Sequence, residues 1–180
     1  MAKTGNIKMC SYYYSQHYAG DKKYKEPMKS TFTDLQKEEY ENRVIRLCNA
    51  GVKNPSTWAF SKVTEGIPQF ARFLILRSLF NIAKSADDNI AMATDFDDEV
   101  EEKYNTLKDI VGEEELLSFL TSYPKGIIYN VVGLLDEGTQ EAERDKVSWI
   151  LMKIDENFES TGQMIQGLHE DFLEFEDEVK

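Results

Sequence analysis

Cysteine and histidine are scarce in this 180-residue chain, which has two of each. Cys10 and Cys48 are too few for a scaffold of disulfides, and His17 and His169 cannot supply a His-rich metal site. Nucleophilic catalysis by serine or cysteine needs a nearby base, usually histidine, and no nucleophile motif accompanies either histidine. The sequence therefore predicts no nucleophilic enzyme and no cofactor.

Glycine-rich loops and long apolar runs are also missing. The ten glycines include no run followed by Lys and Ser or Thr, so no loop of the phosphate-cradling type is present. The acids around Asp95 lack the glycine and the spacing of a calcium loop. The most apolar segment, 67–83, is too short to span a bilayer comfortably and contains two arginines. Because the start also lacks the apolar stretch of a secretory signal, we expect a cytoplasmic protein without membrane association.

Basic residues are fewer than acidic ones, and the acidic excess lies in one part of the chain. Asp and Glu total 33 against 21 Lys and Arg, so the formal net charge is −12. Residues 1–30 hold six bases and two acids (+4), residues 31–86 eight and five (+3), and residues 87–180 seven and 26 (−19). Such a field attracts cationic partners and repels nucleic-acid phosphate. It predicts a basic protein partner and no direct nucleic-acid binding, although plain solvated surface gives the same pattern.

Residues 1–30 combine tyrosine with lysine and show no helical period. They contain Tyr12, Tyr13, Tyr14, Tyr18 and Tyr24 with Lys22, Lys23 and Lys25. We interpret them as an irregular arm that packs its tyrosines on the rest of the chain. Nucleic-acid binding by the arm, or pairing of its lysines with the acidic half, are the alternatives. Residues 31–180 are expected to form one acidic domain.

Apolar periodicity after residue 31 is helical and predicts an all-α bundle of about seven or eight helices. The central helix, about 68–84, is apolar around most of its circumference. Its Arg72 and Arg77 either reach the surface or pair with acids such as Asp87 or Asp88 in a buried position. The predicted helices cover about 34–49, 55–62, 68–84, 100–111, 113–123, 127–135, 139–154 and 160–178.

Two of these helix predictions depend on particular sequence features. Residues 127–135 are rich in β-branched side chains, but we predict a helix there because a single strand would have no partner. The last helix is predicted to begin at Ser160, since Ser160 and Gln163 have the spacing of a capping box. A turn is expected at 87–94.

Nine acidic residues form the candidate partner-binding face. Carboxylates on rigid helices can meet Lys and Arg of a partner, speed encounter and exclude phosphate from the same surface. The hypothesis is an acidic inhibitor, in the manner of immunity proteins, that neutralises a basic toxin or nucleic-acid enzyme. A DNA mimic or phage counter-defence inhibitor is the alternative. The residues are Asp87, Asp88, Asp95, Asp97, Asp98, Glu101, Glu102, Glu113 and Glu114.

A carboxylate metal site is the catalytic alternative. Glu99 and Glu102 lie one helical turn apart and, with Asp98, could hold Mg²⁺ for phosphate chemistry. The pair is similar to the Glu-x-x-Glu of all-helical nucleotide pyrophosphohydrolases, a resemblance that implies a Mg-dependent phosphohydrolase. The Glu-x-x-Asp that should follow within a hairpin comes only at 174–177. We therefore expect a protein that binds rather than catalyses.

Overall fold

The computed structural model describes residues 31–138 and 143–179. Within these ranges the chain forms seven helices and one two-stranded sheet, which confirms the predicted all-α class. The predicted arm at 1–30 and the predicted helix start at Thr139 lie outside the described residues. The elements are α1 Asp34–Asn49, α2 Pro55–Glu65, α3 Gln69–Lys84, α4 Ala86–Ala93, α5 Val100–Val111, α6 Glu113–Glu137, β1 Leu151–Ile154, β2 Ser160–Ile165 and α7 Leu168–Glu178.

The described chain divides into two compact units. The first contains residues 31–71, 152–165 and 176–179, and the second contains residues 72–138, 143–151 and 166–175. No helix in the described ranges is both long enough and apolar enough to cross a membrane.

The first unit is organised around α1 and α2. Thr33 and Gln36 form a capping box at the start of α1, as the sequence predicts. Leu47 and Ala59 are fully buried in the core of this unit. Near the C-terminal end of the chain, the Glu178 carboxylate accepts a hydrogen bond from Trp58 Nε1 at 3.2 Å. This bond links α2 to the last described residues of the chain.

The second unit has an aromatic core. Phe73 and Phe80 project from α3, and the Phe73 ring lies 5.5 Å from that of Phe175 on α7. Phe80 lies 5.7 Å from Phe172 and 5.6 Å from Phe175. All four side chains are buried, and burial stabilises each by roughly 1.5–3 kcal/mol. The apolar helix predicted at 68–84 is therefore confirmed, and its buried side lies in this core.

One predicted helix boundary is wrong. We expected the helix of residues 113–123 to end before Pro124, but α6 runs for 25 residues with Pro124 inside it. Proline removes one backbone hydrogen bond. The helix continues because apolar residues are buried on both sides of the proline, Leu116 before it and Val132 after it. The helix predicted at 127–135 is confirmed as the second half of α6.

The helix predicted at 139–154 is wrong from residue 145 onward, and the one predicted from Ser160 is wrong up to residue 167, because residues 151–165 form a β-hairpin. Its turn is set by Asp155, whose Oδ1 accepts the backbone N–H groups of Asn157 and Glu159 at 2.8 and 3.0 Å. In the hairpin, β1 and β2 pair with each other. The sequence of either segment alone does not show that the other is its partner. The final helix begins at Leu168 rather than Ser160, and residues 86–93 form α4 where we expected a turn.

Candidate protein-binding surface

The nine predicted acidic residues all lie in the second unit and are all exposed. Two lie in the first turn of α4, three in the turn before α5, two in the first turn of α5 and two in the first turn of α6. Carboxylates are favoured near helix N-termini because the first backbone N–H groups carry partial positive charge. We call these nine residues the acidic surface.

Two lysines pair with acids in this region. Lys103 Nζ lies 2.9 Å from Asp97 Oδ2 and 3.0 Å from Glu99 Oε2. The hydrogen bond from Lys103 lowers the pKa of Asp97 below its ordinary value, and the bonds to Asp97 and Glu99 raise the pKa of Lys103. Lys108 Nζ lies 2.8 Å from Glu113 Oε1, and that hydrogen bond raises the pKa of Lys108. Asp97, Lys103 and Lys108 therefore stay ionised at neutral pH.

Within the part of the chain that the structure describes, most of the acidic charge has no cation beside it. Residues 87–137 hold fourteen Asp and Glu against three Lys. Lys103 and Lys108 are engaged as described, and Lys125 Nζ lies 5.1 Å from the centre of the Phe80 ring. No ion pair to a described residue is formed by Asp87, Asp88, Asp95, Asp98, Glu101, Glu102 or Glu114. The acidic surface therefore projects a negative field into solvent.

Apolar side chains are exposed among these acids. Phe96, between Asp95 and Asp97, is 90% exposed, and Ile110 at the end of α5 is 72% exposed. Helix α5 has no buried residue, although its residues are clearly segregated into a polar and an apolar side. The region therefore offers a partner both negative charge and apolar area.

The carboxylates of the catalytic alternative are not gathered around a common point. No group of three or more acidic, histidine or cysteine side chains in the described ranges is arranged to hold a metal ion. Asp98, Glu99 and Glu102 are exposed, and Glu99 pairs with Lys103.

Sequence reasoning missed an ion-pair cluster around His169. Asp136 Oδ2 accepts hydrogen bonds from the backbone N–H of His169 at 2.9 Å and lies 3.0 Å from its Nδ1. His169 Nε2 lies 3.1 Å from Glu137 Oε1. The hydrogen bond to Asp136 raises the pKa of His169, and the charge of Glu137 adds to this. With a carboxylate at each ring nitrogen, His169 is an ion-pair partner, and Asp136 caps the first turn of α7.

Of the two alternatives considered for Arg72, the structure shows the buried ion pair, but the partner is Asp171 rather than Asp87 or Asp88. Its guanidinium Nη2 lies 2.7 Å from Asp171 Oδ2 and donates to the carbonyl oxygen of Gly167 at 2.9 Å. Arg72 is buried, whereas Asp87 and Asp88 are exposed. The other arginine, Arg77, lies with its guanidinium carbon 5.6 Å from the centre of the Phe73 ring. Nothing local in the sequence connects residue 72 with residues 167–171, so this pairing could not be predicted.

The chain matches no protein-family model, no curated protein and no solved structure.

Proposed function

We propose that this protein is an acidic inhibitor that docks its acidic surface onto a basic surface of another protein. The observation that supports the proposal is that all nine predicted carboxylates are exposed and that most have no cation beside them among the residues the structure describes. Charge held in this way, at helix starts and in the turn before α5, is available to a partner with few ion pairs to described residues to break first.

The expected mechanism is electrostatic steering followed by exclusion of phosphate. Clustered carboxylates raise the rate of encounter with a basic partner, and this gain falls as salt increases. Once bound, they occupy the Lys and Arg side chains that would otherwise contact nucleic-acid phosphate. The exposed Phe96 and Ile110 add apolar contacts of the kind that stabilise a docked complex.

The partner class that fits this chemistry is a basic toxin domain or a basic nucleic-acid enzyme, as for an immunity protein. A DNA mimic, including one that counters a host defence enzyme, would use the same charges. An immunity-type protein and a DNA mimic would be distinguished by which basic protein each one binds.

A pair of charge-matched variants tests the proposal. The surface variant carries D95N, D98N, E101Q, E102Q and E114Q, and leaves the paired Asp97 and Glu113 intact. The control variant carries D34N, E38Q, E39Q, E41Q and E65Q, five exposed acids of the first unit. Each variant loses five negative charges.

Each variant and the wild type are immobilised and exposed to a lysate of the native host at low and at high salt, and bound proteins are identified by mass spectrometry. We expect one basic protein on the wild type and the control variant at low salt, with less at high salt and little on the surface variant. Equal recovery on both variants would show that the acidic surface is not the binding site.

A further inference from the structure

Helix α6 exposes an apolar stripe that its own unit does not cover. The 25-residue helix contains twelve apolar residues, tyrosines included, of which only Leu116 and Val132 are buried. Five others are between 41% and 57% exposed. They are Phe119, Tyr123, Ile127, Val131 and Leu134, which we call the apolar stripe. A helix with apolar residues over so much of its circumference is normally packed against neighbours on every apolar side.

The spacing of the stripe is that of a helix-docking face. Its members follow one another at four, four, four and three residues, so they share one side of α6 and extend over about 22 Å at 1.5 Å per residue. The rings of Phe119 and Tyr123 are stacked with their centres 5.4 Å apart, which orders the two largest side chains before any partner binds. The face is therefore partly preorganised.

A row of small or polar residues lies beside the stripe. Ser118, Ser122, Gly126 and Asn130 recur every four residues and are exposed. Large side chains of one helix pack into the grooves that such rows leave on another. The stripe and the row together provide a ridge and a groove, which is what a helix needs from its neighbour.

Charge determines which helix fits. Both ends of α6 keep a net negative charge, because Glu113, Glu114 and Glu115 outnumber Lys108 at the first end and Asp136 and Glu137 outnumber His169 at the last. A second copy of this chain would therefore place acids beside acids whether the two helices ran parallel or antiparallel. Like charges brought together at an interface oppose association. The complementary occupant carries Lys or Arg at both ends.

We propose that the apolar stripe binds an amphipathic helix of a basic partner protein. This helix is about four turns long, with apolar residues at three- and four-residue intervals and basic residues at both ends. The inference rests on the proposed function, because it identifies the partner element that the acidic protein recognises. The acidic surface attracts the partner and the stripe provides the apolar contacts that hold it.

Three labelled 18-residue peptides serve as probes. The first has leucines on one helical face and lysines at both ends, with alanine elsewhere. The second has the same composition in an order that spreads the leucines around the helix. The third repeats the first with glutamate in place of each lysine. Binding is followed by fluorescence anisotropy at low salt.

The stripe variant carries F119Q, Y123Q and I127Q, which leave the charge unchanged and do not lower the preference for helix. Its control is L173Q, a single change at a leucine of α7 that is 69% exposed. Circular dichroism and the melting temperature establish that each variant is folded. Y123Q alone repeats the test with one exposed residue if the triple variant does not fold.

We expect the first peptide to bind the wild type at least about tenfold more tightly than the second, since a few central, well-packed side chains carry most of the binding energy of an interface. The stripe variant should lose this preference, and L173Q should keep it. Equal binding of the first two peptides would overturn the stripe proposal while leaving charge-driven docking intact. Failure of both lysine peptides would count against the proposed function as well.

Two other outcomes would reassign the stripe. Tight binding of the glutamate peptide would show that the face is not selective for basic helices. Sedimentation that reveals a dimer in the wild type and a monomer in the stripe variant would show that a second copy of the chain covers it.

Discussion

Replacing Arg72 should destabilise the protein strongly, because the guanidinium is buried with two oxygen partners. In Arg72→Met the apolar stem is kept, while the contacts to Asp171 at 2.7 Å and to the Gly167 carbonyl at 2.9 Å are lost. Breaking a buried ion pair costs roughly 3–5 kcal/mol. Asp171 retains a third of its side-chain exposure, so water can solvate part of its charge and the lower half of that range is expected.

That range already includes the loss of the hydrogen bond to Gly167, which accounts for about 1 kcal/mol of it. We therefore expect the free energy of unfolding to fall by roughly 3–4 kcal/mol. For a chain of this size each kcal/mol lowers the melting temperature by about 2–4 °C, so the midpoint should fall by about 10 °C. Thermal unfolding followed by circular dichroism measures this directly.

An exposed arginine provides the control. Arg144 lies 3.3 Å from Asp145, but the two side chains are 73% and 63% exposed. Such pairs contribute at most about 1 kcal/mol, so Arg144→Met should change the melting temperature by only a few degrees. Adding Asp171→Asn to Arg72→Met should restore part of the lost stability. Equal small effects of the two arginine substitutions would refute the assignment of Arg72 to a buried ion pair.

Three further results are expected. Because the pKa of His169 is raised above 6.5, its ion pairs contribute fully below that pH and lose their contribution as pH rises through the folded-state value. The melting temperature of the wild type should therefore fall between about pH 6 and pH 9 more than that of His169→Gln, and parallel curves would contradict this. Gly167→Ala should lower the melting temperature by several degrees in the same assay, because its Cβ would lie 2.9 Å from Arg72 Nη2 and φ is +70°; an unchanged value would show that Arg72 can move aside. Millimolar Mg²⁺ should leave the melting temperature unchanged, whereas a clear increase would favour the carboxylate metal site.

The sequence predicted those parts of the fold that depend on neighbouring residues. The start of α1 is fixed by Thr33 and Gln36, three residues apart, and the apolar period of α3 is visible over a single segment. The acids were predicted to be exposed because a charged side chain without a partner costs too much to bury. Helix boundaries failed where the deciding contacts are distant, as at Pro124.

Features that depend on residues far apart could not be predicted. The hairpin requires β1 and β2 to pair across a turn, and Arg72 meets Asp171 only once α3 and α7 are in place. The apolar stripe shows another limit. The sequence shows that Ile127 and Val131 are apolar but not that they are exposed.

The most direct test of the account is binding of the lysine-ended amphipathic peptide to the wild type, the surface variant and the control variant over a range of NaCl concentrations. All three should bind less tightly as salt increases. At low salt the surface variant should bind about tenfold or more weakly than the control variant and show a shallower dependence on salt. Equal losses in the two variants would mean that only net charge matters, and would contradict the assignment of binding to the acidic surface.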